Sequence, residues 1–369
     1  MKKDVYGSSK LAFHEDKVRA LREKKITAPI YVRVKPTNKC NHRCVYCSYS
    51  PDAAEKCVVS EEINLQDEIP YEKIMEILDD FKEMGVKAVT YSGGGEPLIY
   101  PFITDVLRKT LEHGIDLSII TNGQMLNGER AELLARAKWV RISTDSCNNE
   151  MFSLLRKVPD NFFERLRENI RNFVRIKNSD CELGINFIVC KENSEFVYES
   201  AKLFKELGAN HIRFTPVYRP DDFFGYHEQF KQKVVEQIER AKEELTDDNF
   251  KIYDNYGDAF ILSGVKERKY PRCFIMQTVP VIGADSRVYF CHDKTYTKSG
   301  RLGSIKDKSF KELWFSKEAE EKLNNFDPRE RCQHHCTYDS RNMHIGIMMW
   351  DFENLDKHKP ESEVHKNFI

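Results

Sequence analysis

Three cysteines near the amino terminus, Cys40, Cys44 and Cys47, have the spacing C-x3-C-x2-C. This spacing places three thiols on one short loop, which is enough to bind three irons of a four-iron cluster. Such clusters are normally held by four thiolates, so a loop with three leaves one iron open to another ligand. A structural or zinc site is the alternative, but zinc needs a fourth ligand and commonly uses paired C-x2-C motifs. The loop therefore predicts an iron–sulfur cluster with an open coordination position.

A second candidate site is a short run at the end of a strand-like segment, formed by Ser92, Gly93, Gly94, Gly95 and Glu96. Glycine has no β-carbon, so three in succession let the backbone approach a ligand closely. Glu96 adds a carboxylate at the same place. Most glycine turns only reverse the chain, but this one follows the cysteine loop at the next strand end. The position predicts a second part of the same site.

The chain contains four further cysteines towards its carboxyl end, namely Cys273, Cys291, Cys332 and Cys336. Four thiolates are a complete ligand set for one [4Fe–4S] cluster. Zinc bound by the same residues is the leading alternative, and His334 or His335 could compete as a ligand. The remaining cysteines have no ligand spacing and are predicted to be buried free thiols: Cys57, Cys147, Cys181 and Cys190.

Six apolar, β-branched runs alternate with amphipathic stretches between residues 30 and 216. The runs are Tyr31–Val34, Val86–Tyr91, Leu117–Thr121, Trp139–Ser143, Leu183–Val189 and His211–Thr215. Between the first two, Tyr71–Met84 has helical spacing of its apolar residues, begins after Pro70 and ends at Gly85. Alternating strands and helices predict βαβ units and a parallel sheet. The expected fold is therefore α/β, a partial (β/α)6 TIM-like barrel with functional residues at the carboxyl ends of its strands.

Pattern and composition divide the chain into five segments. A charged helix near Glu228–Glu244 follows the barrel, and an apolar stretch near the carboxyl terminus is expected to dock on the body. The segments are an N-terminal extension (1–29), the barrel (30–216), a bridging helical segment (217–272), a small α+β cluster domain (273–336) and a C-terminal tail (337–369).

The composition is that of an ordinary soluble globular protein, with 40% hydrophobic and 32% charged residues and a formal net charge of −1. This charge provides no field that would recruit nucleic acid or an acidic membrane, so neither is an expected partner. No stretch has the apolar length of a membrane span, and the first residues lack the apolar core of a secretory signal. Eleven cysteines in such a chain favour metal binding over disulfides, which predicts a cytoplasmic protein.

The cysteine loop resembles that of the radical S-adenosylmethionine (radical SAM) superfamily, and Tyr46 matches the aromatic residue usually found before the third cysteine. The resemblance implies that the open iron chelates the amino and carboxylate groups of SAM. The glycine run with Glu96 is similar to the GGE motif of that family, which binds the SAM amino group. Polar residues at later strand ends are further cofactor-binding candidates, with loop capping as the alternative: Thr121, Asn122, Ser143 and Asn186.

The segment with the second cysteine set is similar to the auxiliary-cluster domains called SPASM and, in a shorter form, twitch. It has a hairpin with two cysteines, a Leu-Gly-x-Ile turn at Leu302–Ile305 and a helix that ends near Trp314. The long form needs more cysteines than are present for its two clusters. The twitch form is therefore the better match, although Ser286 replaces a glycine that is common there, and it implies one auxiliary [4Fe–4S] cluster bound by Cys273, Cys291, Cys332 and Cys336.

The resemblance implies that an electron donor such as flavodoxin or ferredoxin reduces the first cluster. SAM is then cleaved to methionine and a 5′-deoxyadenosyl radical, which abstracts hydrogen from a substrate. We expect a small polar substrate, such as a sugar, cyclitol or nucleotide sugar, and an oxidation (dehydrogenation) or epimerisation catalysed by an oxidoreductase or epimerase. Location alone makes Asp145, Arg213 and Tyr218 the candidate catalytic residues.

Two other functions remain open. A peptide- or protein-modifying maturase is the alternative enzyme, although the segment 1–29 is too short for the leader-binding domain usual in such enzymes. An iron–sulfur electron carrier or a zinc-stabilised binding protein is the alternative of a different class, and it predicts no SAM cleavage.

Overall fold

A computed structural model describes residue 7 and residues 9–50, 60–219, 222–262, 267–334 and 336–369. Its strands are β1 (Tyr31–Val34), β2 (Ala88–Tyr91), β3 (Asp116–Thr121), β4 (Trp139–Thr144), β5 (Glu182–Val189), β6 (His211–Pro216), β7 (Lys251–Asp254), β8 (Val281–Ile282), β9 (Arg287–Tyr289) and β10 (Arg301–Ser304). Within the described residues they form one sheet in the order β10-β9-β8-β1-β2-β3-β4-β5-β6-β7.

Helices follow most of the parallel strands and cover the outer face of the sheet. They are α1 (Glu15–Arg22), α2 (Tyr71–Met84), α3 (Ile103–Glu112), α4 (Gly128–Leu134), α5 (Asn149–Arg156), α6 (Phe162–Ile176), α7 (Val197–Glu206), α8 (Phe223–Glu228), α9 (Lys231–Leu245), α10 (Asn255–Leu262), α11 (Phe310–Trp314), α12 (Lys317–Asn324), α13 (Pro328–Arg331) and α14 (Asp339–Trp350). The helix predicted over 71–84 has these bounds, and it ends because Gly85 adopts the left-handed conformation with φ 79°.

Strands β1 to β7 are parallel neighbours in sequence order, which confirms the predicted α/β barrel-like architecture. Their residues alternate between two environments, as expected for a pleated strand. On β5, Ile185 and Phe187 are fully buried in the core beneath the helices, whereas Asn186 is half-buried on the opposite, interior face. The interior face of the barrel is therefore the polar one.

The bridging segment 217–272 is not only helical. It contains β7, whose Lys251 and Tyr253 are aligned with His211 and Arg213 of β6, so the barrel wall has one strand more than predicted. Each residue of β7 is half-buried, and the short sequence Lys-Ile-Tyr-Asp gives too little alternation to be recognised. The cluster segment also joins the same sheet, because β8 pairs in parallel with β1.

The two ends of the described chain pack together at the amino ends of the barrel strands. Leu21 of α1 and Met348 of α14 belong to one apolar cluster with Phe368. The ring of Phe368 makes edge contacts with Tyr31 and Trp139, each with 5.4 Å between ring centroids. The C-terminal residues thus close this end of the barrel.

Among the described residues, no helix combines the length and the apolar character needed to cross a membrane.

Candidate active site

The cysteine loop follows β1 and is fixed at several points by the rest of the barrel. Asn38 donates a side-chain hydrogen bond to the carbonyl of Asn64 (2.9 Å) and accepts one from the hydroxyl of Tyr296 (2.5 Å). The backbone N–H groups of Arg43 and Val45 donate to carbonyls at the end of α5. These contacts are made by residues before and between the cysteines, so the conformation of the loop does not depend on the cysteines alone.

Glycine is required next to this loop because the two segments touch. A β-carbon on Gly94 would lie 1.9 Å from Oδ1 of Asn38, and one on Gly95 would lie 1.9 Å from the carbonyl oxygen of Lys39. The backbone N–H of Glu96 donates to that same carbonyl at 2.8 Å. The glycine run therefore packs directly against the cysteine loop, as the sequence predicted for two parts of one site.

Glu96 connects this run to the carboxyl end of β3. Its Oε1 accepts hydrogen bonds from the hydroxyl of Thr121 (2.6 Å) and the N–H of Leu98 (2.9 Å), and its Oε2 accepts one from the N–H of Asn122 (2.6 Å). Asn122 in turn donates to Oδ1 of Asn41 in the cysteine loop (2.7 Å). Burial raises the pKa of Glu96, although these hydrogen bonds act in the opposite direction.

A cavity of about 460 Å³ lies where these segments meet. Its wall contains most of the predicted SAM-site residues together with Asn38, Tyr49 and Arg156, which the sequence did not indicate. The predicted residues in the wall are Cys40, Cys44, Cys47, Gly93, Gly94, Gly95, Glu96, Thr121, Asn122 and Ser143. The structure thus brings together residues separated by about a hundred positions in the chain.

Tyr46 and Asp145 lie behind the cavity in a buried network with Arg156. Nε of Arg156 donates to both carboxylate oxygens of Asp145 at 3.0 and 3.1 Å, and the hydroxyl of Tyr46 donates to Oδ2. Arg156 also donates to the carbonyl of Ser143 at 2.8 Å. Asp145 is completely buried, so the geometry favours a positioning role for it over that of a general base.

The other predicted residues lie outside the wall of this cavity. Asn186 and Arg213 are aligned with Ser143 across β4, β5 and β6, on the interior face of the barrel. Tyr218 follows β6 and is 39% exposed. The three candidate catalytic residues therefore lie on different segments: Asp145 directly follows β4, Arg213 is on β6, and Tyr218 follows β6.

The second cysteine set lies at the side of the barrel next to β1. Cys273, Cys291, Cys332 and Cys336 are all half-buried. Burial raises the pKa of each thiol, to about 12 for Cys273, and neighbouring cysteines of the set contribute to the increase at Cys273, Cys291 and Cys336. These thiols are therefore neighbours, and they release protons when they bind metal.

Among the described residues, no three His, Cys, Asp or Glu side chains are close enough to share a single metal ion. A tetrahedral zinc ion, with each sulfur at about 2.3 Å, would need that arrangement. A four-iron cluster binds each thiolate through a different iron, so its cysteines stand further apart.

The remaining cysteines were predicted to be buried free thiols. Cys181 and Cys190 are buried and Cys147 is half-buried. Cys57 and His335 lie outside the described residues.

Residues 34–203 match the radical SAM superfamily, and residues 273–337 match the SPASM iron–sulfur cluster-binding domain. The chain belongs to the radical SAM superfamily and carries a SPASM domain near its carboxyl end. The two domains imply a [4Fe–4S] cluster, SAM and auxiliary iron–sulfur clusters as cofactors.

Three curated proteins show this similarity. AdoMet-dependent heme synthase of Methanosarcina barkeri is 30% identical over 53% of this chain and 53% of its own length, so the chain spans about half of it. Mycofactocin maturase MftC of Mycolicibacterium smegmatis is 26% identical over 79% of this chain and 71% of its own length. Probable GTP 3′,8-cyclase of Methanocaldococcus jannaschii is 26% identical over 58% of this chain and 68% of its own length.

Solved structures show the same fold. anSMEcpe with bound AdoMet superposes with a TM-score of 0.60 at 21% identity, covering 89% of this chain and 94% of the other. SuiB of Streptococcus suis, bound to precursor peptide SuiA, superposes with a TM-score of 0.59 at 18% identity, covering 86% of this chain and 71% of SuiB.

The residues present fit the cofactors of this family. The cavity joins three thiols to a glycine-lined backbone, and within the described chain the buried hydroxyl of Ser92 has no hydrogen-bond partner. Such a hydroxyl costs free energy unless a ligand or water bonds to it. The second set provides four thiols, the ligand number of one cubane cluster.

Proposed function

We propose that this protein is a radical SAM enzyme that modifies a peptide or protein substrate bound inside the barrel. The observation that carries the proposal is the cavity that joins Cys40, Cys44 and Cys47 to the Gly93–Glu96 run. When bound there, the cluster and SAM supply reductive SAM cleavage and hydrogen-atom abstraction. The role of a maturase is supported by the similarity to MftC, which extends over both domains of this chain.

The roles of individual residues follow from their contacts. The glycines leave space for SAM, and Glu96 fixes the end of β3 beside them. Arg156 holds the carbonyl of Ser143 in place, and Asp145 neutralises the charge of Arg156 in the interior. These residues orient the cofactor and exclude water from it. The proposal includes an electron donor such as flavodoxin or ferredoxin and a reducing, cytoplasmic environment.

Oxidation or epimerisation of a small polar substrate is the second candidate function. It is favoured by the cysteine count, because four ligands support a single auxiliary cluster of the twitch type. The similarity to a probable GTP 3′,8-cyclase, whose name gives a nucleotide substrate, is consistent with it.

SAM cleavage tests the enzyme class. After anaerobic reconstitution with iron and sulfide, the wild-type protein should form 5′-deoxyadenosine from SAM and dithionite. Cys44→Ala should abolish this product, whereas Cys181→Ala, at a buried thiol away from both sites, should not. A reconstituted wild-type protein that forms no product would contradict the proposal.

Substrate identity requires a separate comparison. The active protein should be incubated with short peptides encoded beside its gene and, in parallel, with sugars and nucleotide sugars. A mass change in a peptide supports the maturase, and a change confined to a sugar or nucleotide sugar supports the second candidate.

A further inference from the structure

Tyr296 of the SPASM domain reaches the loop that carries the first three cysteines. It follows Cys291 by a short turn, and its hydroxyl donates a hydrogen bond to Oδ1 of Asn38 at 2.5 Å. The two residues of this bond are 258 positions apart in the chain. Asn38 lines the SAM cavity, so the hydroxyl of Tyr296 is bonded directly to the wall of that cavity.

The backbone of Tyr296 has an unusual conformation. Its φ of 62° lies in the left-handed region, which residues with a bulky side chain rarely adopt. The side chain is also completely buried. An unfavourable backbone conformation persists only where the surrounding structure imposes it, and such positions are frequent at functional sites. The contacts of the Tyr296 side chain therefore indicate what this conformation achieves.

The ring of Tyr296 occupies a space that fits it closely. A β-carbon on Gly283 would lie 3.0 Å from Cε1 of the ring. The rings of Tyr49 and Tyr289 meet it edge-on, with centroids at 6.3 and 5.6 Å. The hydroxyl accepts a hydrogen bond from the N–H of Ala284 at 3.1 Å and donates its own proton to Asn38. Both the ring and the hydroxyl therefore have a defined orientation.

The turn that presents Tyr296 is fixed on both sides. Before it, the hydroxyl of Thr295 donates to the carbonyl of Cys291 at 3.0 Å, and the N–H of Thr295 donates to the carbonyl of His292 at 3.2 Å. The carbonyl of Tyr296 itself accepts from the N–H of Glu62 at 2.9 Å. The position of the tyrosine is thus set by the SPASM domain and by the segment that precedes α2.

Asn38 depends on Tyr296 for the orientation of its side chain. Its Nδ2 donates to the carbonyl of Asn64 at 2.9 Å, and its Oδ1 accepts from the tyrosine. Asn38 is buried, so an acceptor that lost this donor would be left unsatisfied at a cost in free energy. A β-carbon on Gly94 would lie 1.9 Å from Oδ1 of Asn38 and 3.3 Å from the hydroxyl of Tyr296. The amide, the hydroxyl and the glycine run therefore meet at one point.

Tyr289 provides a comparison within the same domain. It is also completely buried, and its hydroxyl donates to Oδ2 of Asp285 at 2.6 Å. That bond joins two residues of the SPASM domain, whereas the bond of Tyr296 joins the SPASM domain to the cysteine loop. The two tyrosines therefore differ in what their hydroxyls hold in place, although their rings are neighbours.

We propose that Tyr296 is a positioning residue through which the SPASM domain holds Asn38 and Gly94 in the conformation that binds SAM. This inference rests on SAM binding in the proposed function and adds a role for the SPASM domain at the first site. Without the hydroxyl, the side chain of Asn38 can turn, and part of the binding free energy of SAM is spent on ordering the cavity wall. The expected defect therefore lies in SAM affinity and not in the chemical step.

Equilibrium binding of SAM to the anaerobically reconstituted protein tests the proposal. Tyr296→Phe should weaken binding about three- to tenfold, the effect of one lost hydrogen bond to a group that stays buried. With dithionite as the reductant, KM for SAM should rise by a similar factor, while kcat for 5′-deoxyadenosine at saturating SAM should not change. Tyr289→Phe removes an equally buried hydroxyl and should bind SAM as the wild type does.

A double-mutant cycle tests the route through Asn38. Asn38→Ala removes the same hydrogen bond from the other side and should weaken SAM binding by itself. Adding Tyr296→Phe to this variant should have little further effect, because the hydroxyl no longer has its acceptor. Additive effects of the two changes would show that Tyr296 acts elsewhere and would overturn the proposal.

Iron content and circular dichroism of each variant show whether the first cluster and the fold are intact. The proposal is also overturned if Tyr296→Phe or Asn38→Ala, folded and with its first cluster, binds SAM as tightly as the wild type, or if Tyr289→Phe weakens binding equally. SAM binding and cleavage by the wild type are measured on the same preparation. If the wild type cleaves SAM and the two tyrosine variants bind it alike, only this inference fails, whereas a wild type that does not cleave SAM contradicts the proposed function itself.

Discussion

Glu96 joins the exits of two neighbouring strands, because its Oε2 accepts a hydrogen bond from the backbone N–H of Asn122 at 2.6 Å. The same carboxylate accepts from Thr121, so β2 and β3 are fixed relative to each other at the SAM cavity. A buried carboxylate with several donors is a rigid support, since each bond would be costly to leave unmade.

Glu96→Gln should weaken SAM binding at least tenfold while leaving the first cluster in place. The new NH2 group would face either the N–H of Asn122 or the two donors that now bond to Oε1, which are the N–H of Leu98 and the hydroxyl of Thr121. Because two donors repel each other, the ends of the two strands would separate. SAM affinity is measured by equilibrium binding and the cluster by iron content. Glu168→Gln, at an exposed position on α6, is the control. Unchanged affinity in Glu96→Gln would refute this role.

Gly95→Ala should disrupt the cysteine loop. The new methyl group would lie 1.9 Å from the carbonyl of Lys39, which is backbone and has little room to move. We expect a destabilisation of about 1–3 kcal/mol, as for other overpacked sites, and a loss of iron from the first cluster. Gly346→Ala is the matched control, because its nearest neighbour is a ring carbon of Phe274 at 3.9 Å. Equal iron contents in the two variants would show that the contact is not needed.

Asp145→Asn should destabilise the protein by about 3 kcal/mol, because it leaves the buried Arg156 without a counter-charge. The shift of the urea unfolding midpoint measures this loss. Glu318→Gln removes the exposed partner of Lys322 and should cost at most about 0.5 kcal/mol. If Asp145→Asn instead keeps full stability and loses only turnover, Asp145 is a catalytic residue.

His211 should make stability decrease in acid. Burial, followed by Arg141, lowers its pKa to about 3, whereas an unfolded histidine has a pKa of about 6.5. Between these values the unfolded chain binds one proton more than the folded chain, so unfolding becomes easier as the pH falls. His211→Phe should reduce the slope of unfolding free energy against pH by up to about 1.4 kcal/mol per unit. His344→Phe on α14 is the control, and the same change of slope in both variants would exclude a specific effect of His211.

Iron and sulfide counts test the second cluster. The variant in which Cys40, Cys44 and Cys47 are all alanine should retain about four irons after reconstitution, since Cys273, Cys291, Cys332 and Cys336 can hold one cluster by themselves. Zinc in place of iron would contradict the auxiliary cluster. An iron content equal to that of the wild type would contradict cluster binding by Cys40, Cys44 and Cys47.

The features that the sequence predicted are those whose evidence lies in residues close together along the chain. The six strands and the helix at 71–84 have strong periodicity, and the cysteine loop and the glycine run carry their chemistry in adjacent residues. Arg156 was missed because it lies at the end of an ordinary amphipathic helix, and its partner Asp145 lies on a different element. Only the fold brings the two together.

Arg33 and Arg141 had a signal in the sequence that pattern reading passed over. Each stands alone between apolar neighbours in a strand, as in Val-Arg-Val at 32–34 and Val-Arg-Ile at 140–142. A single charge within a buried strand predicts that the opposite face is polar. Which residues of other strands lie beside these two arginines depends on barrel curvature and strand register, which no local window contains.

Phe368 has a consequence for the order of events during turnover. It occupies the amino ends of the strands against Tyr31 and Trp139, so ligands exchange from the carboxyl ends. The SAM cavity lies at those same carboxyl ends of the strands. A molecule that binds within the barrel would therefore use the same passage as the cofactor, before the cofactor binds or after it leaves.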